Sequence, residues 1–386
     1  MTLGLLDGVT VLDLASVGPA ARASRWLADY GADVVKVGPV PADGGVQITP
    51  PYFAYSAHRG MRRVLLDLKS ASGRETFLRL SESADVVIES FRPGVVDRLG
   101  IGFDAVHARN PRAVYCSTTG FGQDGPRAQW AGHDVNYLAV SGYLDCTGRG
   151  ADGKPPLPGA TVADSAGGGL QAVAAILAAL VSRSVSGEGC YLDVSIADGM
   201  LGIMALAVDE HLATGTVPGP GSGLLTGQFA CYDTYQTSDG KWLAVGAIEN
   251  RFWSNLCELL GLERWSREQL DESRQDEIRA DLASAFATKT RDEWVALLAS
   301  ADTCVAPVLT VEEAVSDEHY RARGMFAGAE LGDERFSQVA PPFAGMVRQD
   351  SYPGRQPTDT DTDEVLMKAG LSVEEIAVLR EEGAVA

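Results

Sequence analysis

Three residues in this chain have the types and settings that acid–base chemistry requires. His133, one of only five histidines, stands in "AGHDVNY" (131–137), between a glycine and an aspartate and just before a helical pattern. Asp164 stands in "VADSAGGGL", ahead of the apolar run "LQAVAAILAALV", and Glu249 in "VGAIENRFW", between an apolar strand and an amphipathic helix. An imidazole titrates near neutrality, and a carboxylate at a helix N-terminus is held in its charged, basic form. A histidine and an aspartate so placed suit general acid–base work. Each residue also has a plain structural reading: a hydrogen-bonded histidine, and helix N-caps at Asp164 and Glu249. Glu249 fits equally well as an orienting partner for a histidine.

Other chemistries lose their marks. The loop after the first strand reads "ASVGPAA" and the second strand ends "KVGP", without the glycine fingerprint and terminal acid of a dinucleotide site. No Walker loop, G-x-S-x-G elbow or H-E-x-x-H occurs. The six cysteines (116, 146, 190, 231, 257, 304) are scattered without a C-x-x-C pair, so reduced thiols and no metal site are expected. A net charge of -20 argues against nucleic acid and against an anionic membrane, because both are bound through clustered Lys and Arg. Basic residues gather only locally, in "HRGMRR", Lys69, Arg92 and Arg98, which reads either as a solvated run or as the contacts of an anionic ligand. "MTLGLLDG" lacks the features of a signal peptide, and an apolar run of about twelve residues is short for a bilayer. A cytoplasmic protein with no membrane partner is expected.

These residues need a frame. "GVTVLDLA", "ADVVKV", "RVLLDL", "DVVIESF" and "AVYCSTTGF" read as strands, with "PAARASRWLADYG" and "SASGRETFLRLSESA" as helices between them. Such alternation predicts an α/β fold with a mostly parallel sheet. From about 165 to 215 the pattern is helical apart from the short strand "CYLDVSI"; "LGIMALAV" (201–208) reads as helix core, with Met204 a second candidate as pocket lining. The Gly- and Pro-rich "VPGPGSGLLTGQ" (217–228) marks a linker, with an active-site loop as the alternative. Beyond it, "ACYDTYQT" and "KWLAVGA" form a hairpin about Asp239-Gly240. Three helices follow, two with capping boxes at Thr290/Glu293 and Thr310/Glu313, and a terminal helix is capped by Ser372/Glu375. The expected domains are 1–216, a linker 217–228, a small α+β domain 229–325, and a return to the first domain over 326–386.

Together, "GHDVNYLAVSGYL", the Asp of "VADSAGGG", "YDTYQTSDGKWLAVGAIENRFW" and "DTCVAPVL" resemble the α-methylacyl-CoA racemases, within the class III (formyl-CoA and carnitine type) CoA-transferase family, over nearly the whole chain. The resemblance implies a Rossmann-like large domain made from both chain ends, a smaller α+β domain, and an interlocked homodimer. It implies an acyl-CoA substrate, with no cofactor beyond the coenzyme A of that substrate. His133 and Asp164 match the two bases that face opposite sides of the substrate α-carbon, and Glu249 the support of the histidine. The related transferases keep the aspartate as a nucleophile and generally lack the histidine, so His133 separates the two. The implied reaction is epimerisation of a 2-methyl-branched acyl-CoA through an enolate; the alternatives are CoA transfer through an Asp164 anhydride and thioester, or a catalytically silent CoA-binding protein. For CoA, the resemblance points to Ser16 and Val17, to Phe91, Val95 and Arg98 of "ESFRPGVVDRLG", and to Arg62. Relatives often carry Glu or Arg just after the second strand, where this chain has Gly38 and Pro39.

Overall fold

The computed structural model describes residues 4–15, 18–40, 59–342, 348–355 and 359–386. The chain folds as two compact units, one of Met1–Ser141, Pro158–Met204 and Glu318–Ala386, the other of Gly142–Leu157 and Ala205–Asp317.

Six strands make the main sheet of the first unit: β1 (Thr10–Asp13), β2 (Asp33–Gly38), β3 (Met61–Leu65), β4 (Val86–Glu89), β5 (Val114–Thr119) and β6 (Tyr191–Ser195). Their order is β3-β2-β1-β4-β5-β6 and every pairing is parallel. Val11 and Leu12 point to opposite faces, as the two-residue period of a strand demands, and each face has its own core. On one, Val11, Val34, Val86 and Val114 meet Ala20, Ala23 and Leu27 of the helix Gly18–Asp29 and Ala172, Val173 and Ile176 of Gln171–Ser186. On the other, Leu12, Val35, Val87 and Tyr115 meet Phe77 and Leu80 of Ala71–Ser81, and Val365, Leu366 and Ile376 of the last two helices. Burial on both faces is why these strands are nearly continuous apolar runs. The chain end closes on the sheet: Leu66 bridges Val385, and the Asp67 N–H donates to the Ala384 carbonyl at 2.9 Å. The α/β class and the Rossmann-like domain drawn from both ends of the chain are therefore the observed fold.

The apolar run measured in the sequence is part of something longer. The π-helix Ala163–Leu170 and the helix Gln171–Ser186 run on as 24 residues, long and apolar enough by length and composition to cross a bilayer. Here Ala172, Val173, Ile176 and Ala179 are buried while Val181 and Val185 are exposed. The segment 201–208 departs from expectation: the helix Ile196–Ile203 ends at Met204, and Leu201, Ile203 and Leu206 are exposed.

In the second unit β7 (Tyr232–Gln236) and β8 (Trp242–Gly246) pair antiparallel, and β9 (Val305–Pro307) joins β8. Over 229–325, where three helices were expected, five α-helices follow the hairpin; the two additional ones are Gln275–Phe286 and the short Glu318–Ala322. Trp253, Ile278, Phe286 and Trp294 close the core over Tyr235 and Leu243. The boxes at Thr290, Thr310 and Ser372 form as the sequence predicts. Residues 217–228 hold a single 3-10 turn, Leu224–Thr226. The chain then returns to the first unit with a small sheet of order β11-β10-β12, made from β10 (Phe326–Leu331), β11 (Glu334–Val339) and β12 (Ser351–Pro353).

Candidate active site

In an open parallel sheet, ligands bind beyond the C-terminal ends of the strands, where the strand order reverses. Here that reversal lies between β1 and β4. The chain leaving β1 contains Ser16 and Val17, which fall outside the described residues; the chain leaving β4 contains Phe91, Val95 and Arg98; the chain leaving β5 leads to His133.

The β1 exit is fixed by a buried ion pair. Asp13, fully buried, receives Lys36 Nζ at 2.6 Å, the Ala15 N–H at 2.8 Å and the Ser24 hydroxyl, and Lys36 also donates to the Ala15 carbonyl at 2.6 Å.

His133 is exposed and takes the N-cap position of the helix Asp134–Val140, in extended backbone. Its own N–H donates to Asn136 Oδ1 at 3.0 Å, and the imidazole makes no capping bond. Among the described residues no hydrogen bond is made to the His133 ring, so nothing there assigns the imidazole a structural role. The next residue, Asp134, turns its carboxylate to the backbone N–H of Asp164 at 2.9 Å. That bond ties the His133 helix directly to the segment carrying the aspartate.

Asp164 is not the N-cap that its sequence setting suggests. It lies inside the π-helix, a wide turn that recurs at functional sites. Its Oδ2 accepts Arg22 Nη1 at 3.1 Å, with both side chains largely buried. Arg22 Nη2 donates to Thr161 Oγ1 at 2.7 Å. Burial pushes the Asp164 carboxyl above the ordinary carboxylate range and the negative Asp134 adds to this; Arg22 and, more weakly, His133 pull the other way. The Asp134 bond and this weak influence put His133 and Asp164 in the same neighbourhood of one folded unit. Arg22 and Asp134 were not picked out from sequence. Asp134 could have been, since it sits within the G-H-D motif; Arg22 could not, because nothing local links it to a residue so distant in the chain.

Glu249 belongs to the second unit. It is exposed at the N-cap position of Asn250–Leu260 and makes no capping bond.

Of the CoA candidates, Phe91 is half-buried against the core and its N–H donates to Glu89 Oε2 at 2.6 Å. Val95 opens the helix Val95–Leu99, on which Arg98 is exposed. Arg62 is already engaged: its guanidinium grips Asp33 at 2.5 and 3.0 Å and reaches Glu364 at 3.4 Å. Arg59, from the same basic knot, is buried against Asp29. Much of that knot therefore neutralises the protein's own carboxylates.

Glu89, at the end of β4, is 1% exposed. Burial pushes its carboxyl up to about 7, Ser117 and the Phe91 N–H oppose the rise, and Asp97 and Asp193 add to it. A carboxyl raised in the folded state contributes stability while protonated. That contribution is complete below the unfolded value near 4.5 and is lost as pH climbs through about 7. Glu89→Gln is expected to remove this slope, leaving stability unchanged at pH 4 and raising it by about 2–3 kcal/mol at pH 8. Denaturant midpoints at the two pH values check it.

Against known proteins, residues 6–362 match the family model described as CoA-transferase family III. Over 380 residues the chain is 36% identical to human alpha-methylacyl-CoA racemase, covering 96% of this chain and 95% of that one. It is 30% identical over 348 residues to a succinate--glutarate CoA-transferase of Agrobacterium fabrum, covering 85% and 86%. Among solved structures, a CAIB/BAIF family protein from Brucella suis superposes with a TM-score of 0.77 at 29% identity, over 96% of this chain and 100% of that one.

Proposed function

The chain belongs to CoA-transferase family III, and from that premise we propose that it epimerises 2-methyl-branched acyl-CoA thioesters by 1,1-proton transfer through an enolate. It is an enzyme of a family that holds both racemases and CoA-transferases. The observation that carries the racemase reading is that Asp134, the neighbour of His133, binds the Asp164 N–H, which brings an exposed imidazole and a partly buried carboxylate together in one folded unit.

In this reading Asp164, as carboxylate, takes the α-proton; the electron pair of the C–H bond passes into the enolate, and the imidazolium of His133 returns a proton to the opposite face of the carbon. With the roles exchanged, the reverse direction follows. Each positioned proton transfer contributes about 10²- to 10⁴-fold. We assign Glu249 to orienting His133, and Ser16, Val17, Phe91, Val95 and Arg98 to coenzyme A. Arg62 is the weakest of these assignments, since Asp33 already holds its fork. We further propose a homodimer, which would cover the exposed Val181 and Val185, and a cytoplasmic setting.

A second reading has support from the transferase relatives and from the Arg22 contact: an arginine-paired carboxylate is also a ready nucleophile for an acyl group. One experiment separates them. (R)- and (S)-2-methylacyl-CoA are incubated with the protein in D₂O, following α-deuterium by mass spectrometry and configuration by chiral chromatography. Deuterium uptake with loss of configuration is expected; CoA transfer to an added carboxylic acid without exchange would replace racemisation by transfer.

A further inference from the structure

The helix Gly18–Asp29 meets the π-helix along a face formed by Pro19, Arg22 and Trp26, the i, i+3, i+7 positions that share one side of a helix. The contact is tight. A Cβ added at Gly168 would stand 2.6 Å from Pro19, and one at Gly169 would stand 2.9 Å from the Trp26 ring and 3.3 Å from Arg22 Cβ. Such a seam calls for an apolar side chain at position 22, yet it holds an arginine with 16% of its side chain exposed. Burying a guanidinium is costly, and a well-packed apolar residue at the same place is commonly as stable or more so. Packing therefore does not explain Arg22. Its partners do: one guanidinium nitrogen meets Asp164 Oδ2 and the other meets Thr161 Oγ1, three residues earlier.

We propose that Arg22 is a positioning residue for the reaction, clamped by Thr161 so that it holds Asp164 in one orientation and in its ionised, base-competent form. The inference rests on Asp164 being the reacting carboxylate. Among the described residues, the other charged groups that influence Asp164 are Asp134 and His133. Asp134, which receives the Asp164 N–H, opposes ionisation, while His133 on the same helix favours it. Tyr137, also on that helix, has its phenol pushed up to about 12, burial first and then Asp164 and Asp134, and so stays neutral. The helix Ile196–Ile203 meets the π-helix through the uncharged Ile196, Gly199 and Met200. Among the described residues, Arg22 is thus the cation that makes direct contact with Asp164.

The test is the pH dependence of kcat/KM for α-proton exchange in the wild type, Arg22→Gln and Arg22→Lys. Asp164 must be ionised for the form of the enzyme that carries one proton across the His–Asp pair, so it sets the acid limb. Arg22→Gln is expected to move that limb up by about one pH unit, costing about tenfold at pH below the limb and little on the plateau. Arg22→Lys is expected to restore most of the shift. A uniform loss at every pH, or no change, would overturn the proposal. A second measurement needs no activity: unfolding free energies of wild type, Arg22→Gln, Asp164→Asn and the double variant over pH 4–8. A coupling between the two sites that fades as Asp164 protonates is expected; its absence overturns the proposal. If the wild type transfers CoA and exchanges no proton, the racemase reading fails while this cycle still decides the role of Arg22.

Discussion

His133→Ala is expected to lower racemisation of 2-methylacyl-CoA by about 10²- to 10⁴-fold while leaving stability within about 0.5 kcal/mol of wild type. The second half of that expectation comes from the structure. His133 is exposed, its imidazole holds no cap, and the bond that starts its helix is made by backbone N–H and Asn136, both of which survive the substitution. The first half has a sharper form than a simple loss of rate. Two bases on opposite faces of one carbon serve opposite enantiomers, so removing one base leaves the other able to exchange the proton on its own side. In D₂O the alanine variant is expected to wash deuterium slowly into one enantiomer only, with configuration retained. Asp164→Asn is expected to show the mirror pattern. Equal loss with both enantiomers in both variants would remove the two-base mechanism, and undiminished CoA transfer by His133→Ala would return the histidine to a structural role.

Much of the frame around this site was legible because short apolar strands and capped helices carry local signals. β1, β2, β4 and β5 stand where alternating apolar segments placed them, and the caps at Thr290, Thr310 and Ser372 need only a hydroxyl and a glutamate three residues on. What failed depended on partners far away in the chain. Asp164 has the sequence setting of an N-cap, but the three glycines after it let the backbone widen into a π-helix pressed between two others. The basic knot reads in sequence as a solvated run or as contacts of an anionic ligand; that Asp29 and Asp33, at the approach to and in β2, take up Arg59 and Arg62 has no local signal. Arg22 lay unseen in an unremarkable helix because its meaning comes from Thr161 and Asp164. The closing of the chain end on β3 was implied by family resemblance and by no local pattern, since a single bridge at Val385 and a few contacts from Val365, Leu366 and Ile376 make it.

Gly199→Ala is expected to reduce proton exchange by about 10²-fold and stability by about 1–3 kcal/mol, although residue 199 carries no chemistry. Gly199 lies in the helix Ile196–Ile203, and a Cβ there would stand 1.9 Å from the Gly167 carbonyl oxygen and 2.7 Å from its carbon. Both are backbone atoms, so no side-chain rotation relieves the clash; the two helices must separate. Gly167 is three residues after Asp164 in the same π-helix. Pro19 and Ile196 both crowd the neighbouring Gly168, which leaves the π-helix little room to shift without moving Asp164. The carboxylate is held by a 3.1 Å contact to Arg22 and its backbone by a 2.9 Å bond to Asp134. A displacement of about 1 Å breaks or lengthens both, which is enough to spoil a proton transfer. Gly202→Ala supplies the control: it lies in the same helix with open space at its Cβ position, so it is expected to keep exchange and to gain up to about 1 kcal/mol of helix stability. If Gly199→Ala kept exchange within a few-fold of wild type while losing the expected stability, the π-helix would be a yielding element, and the placement of Asp164 would have to come from Arg22 and Asp134 alone.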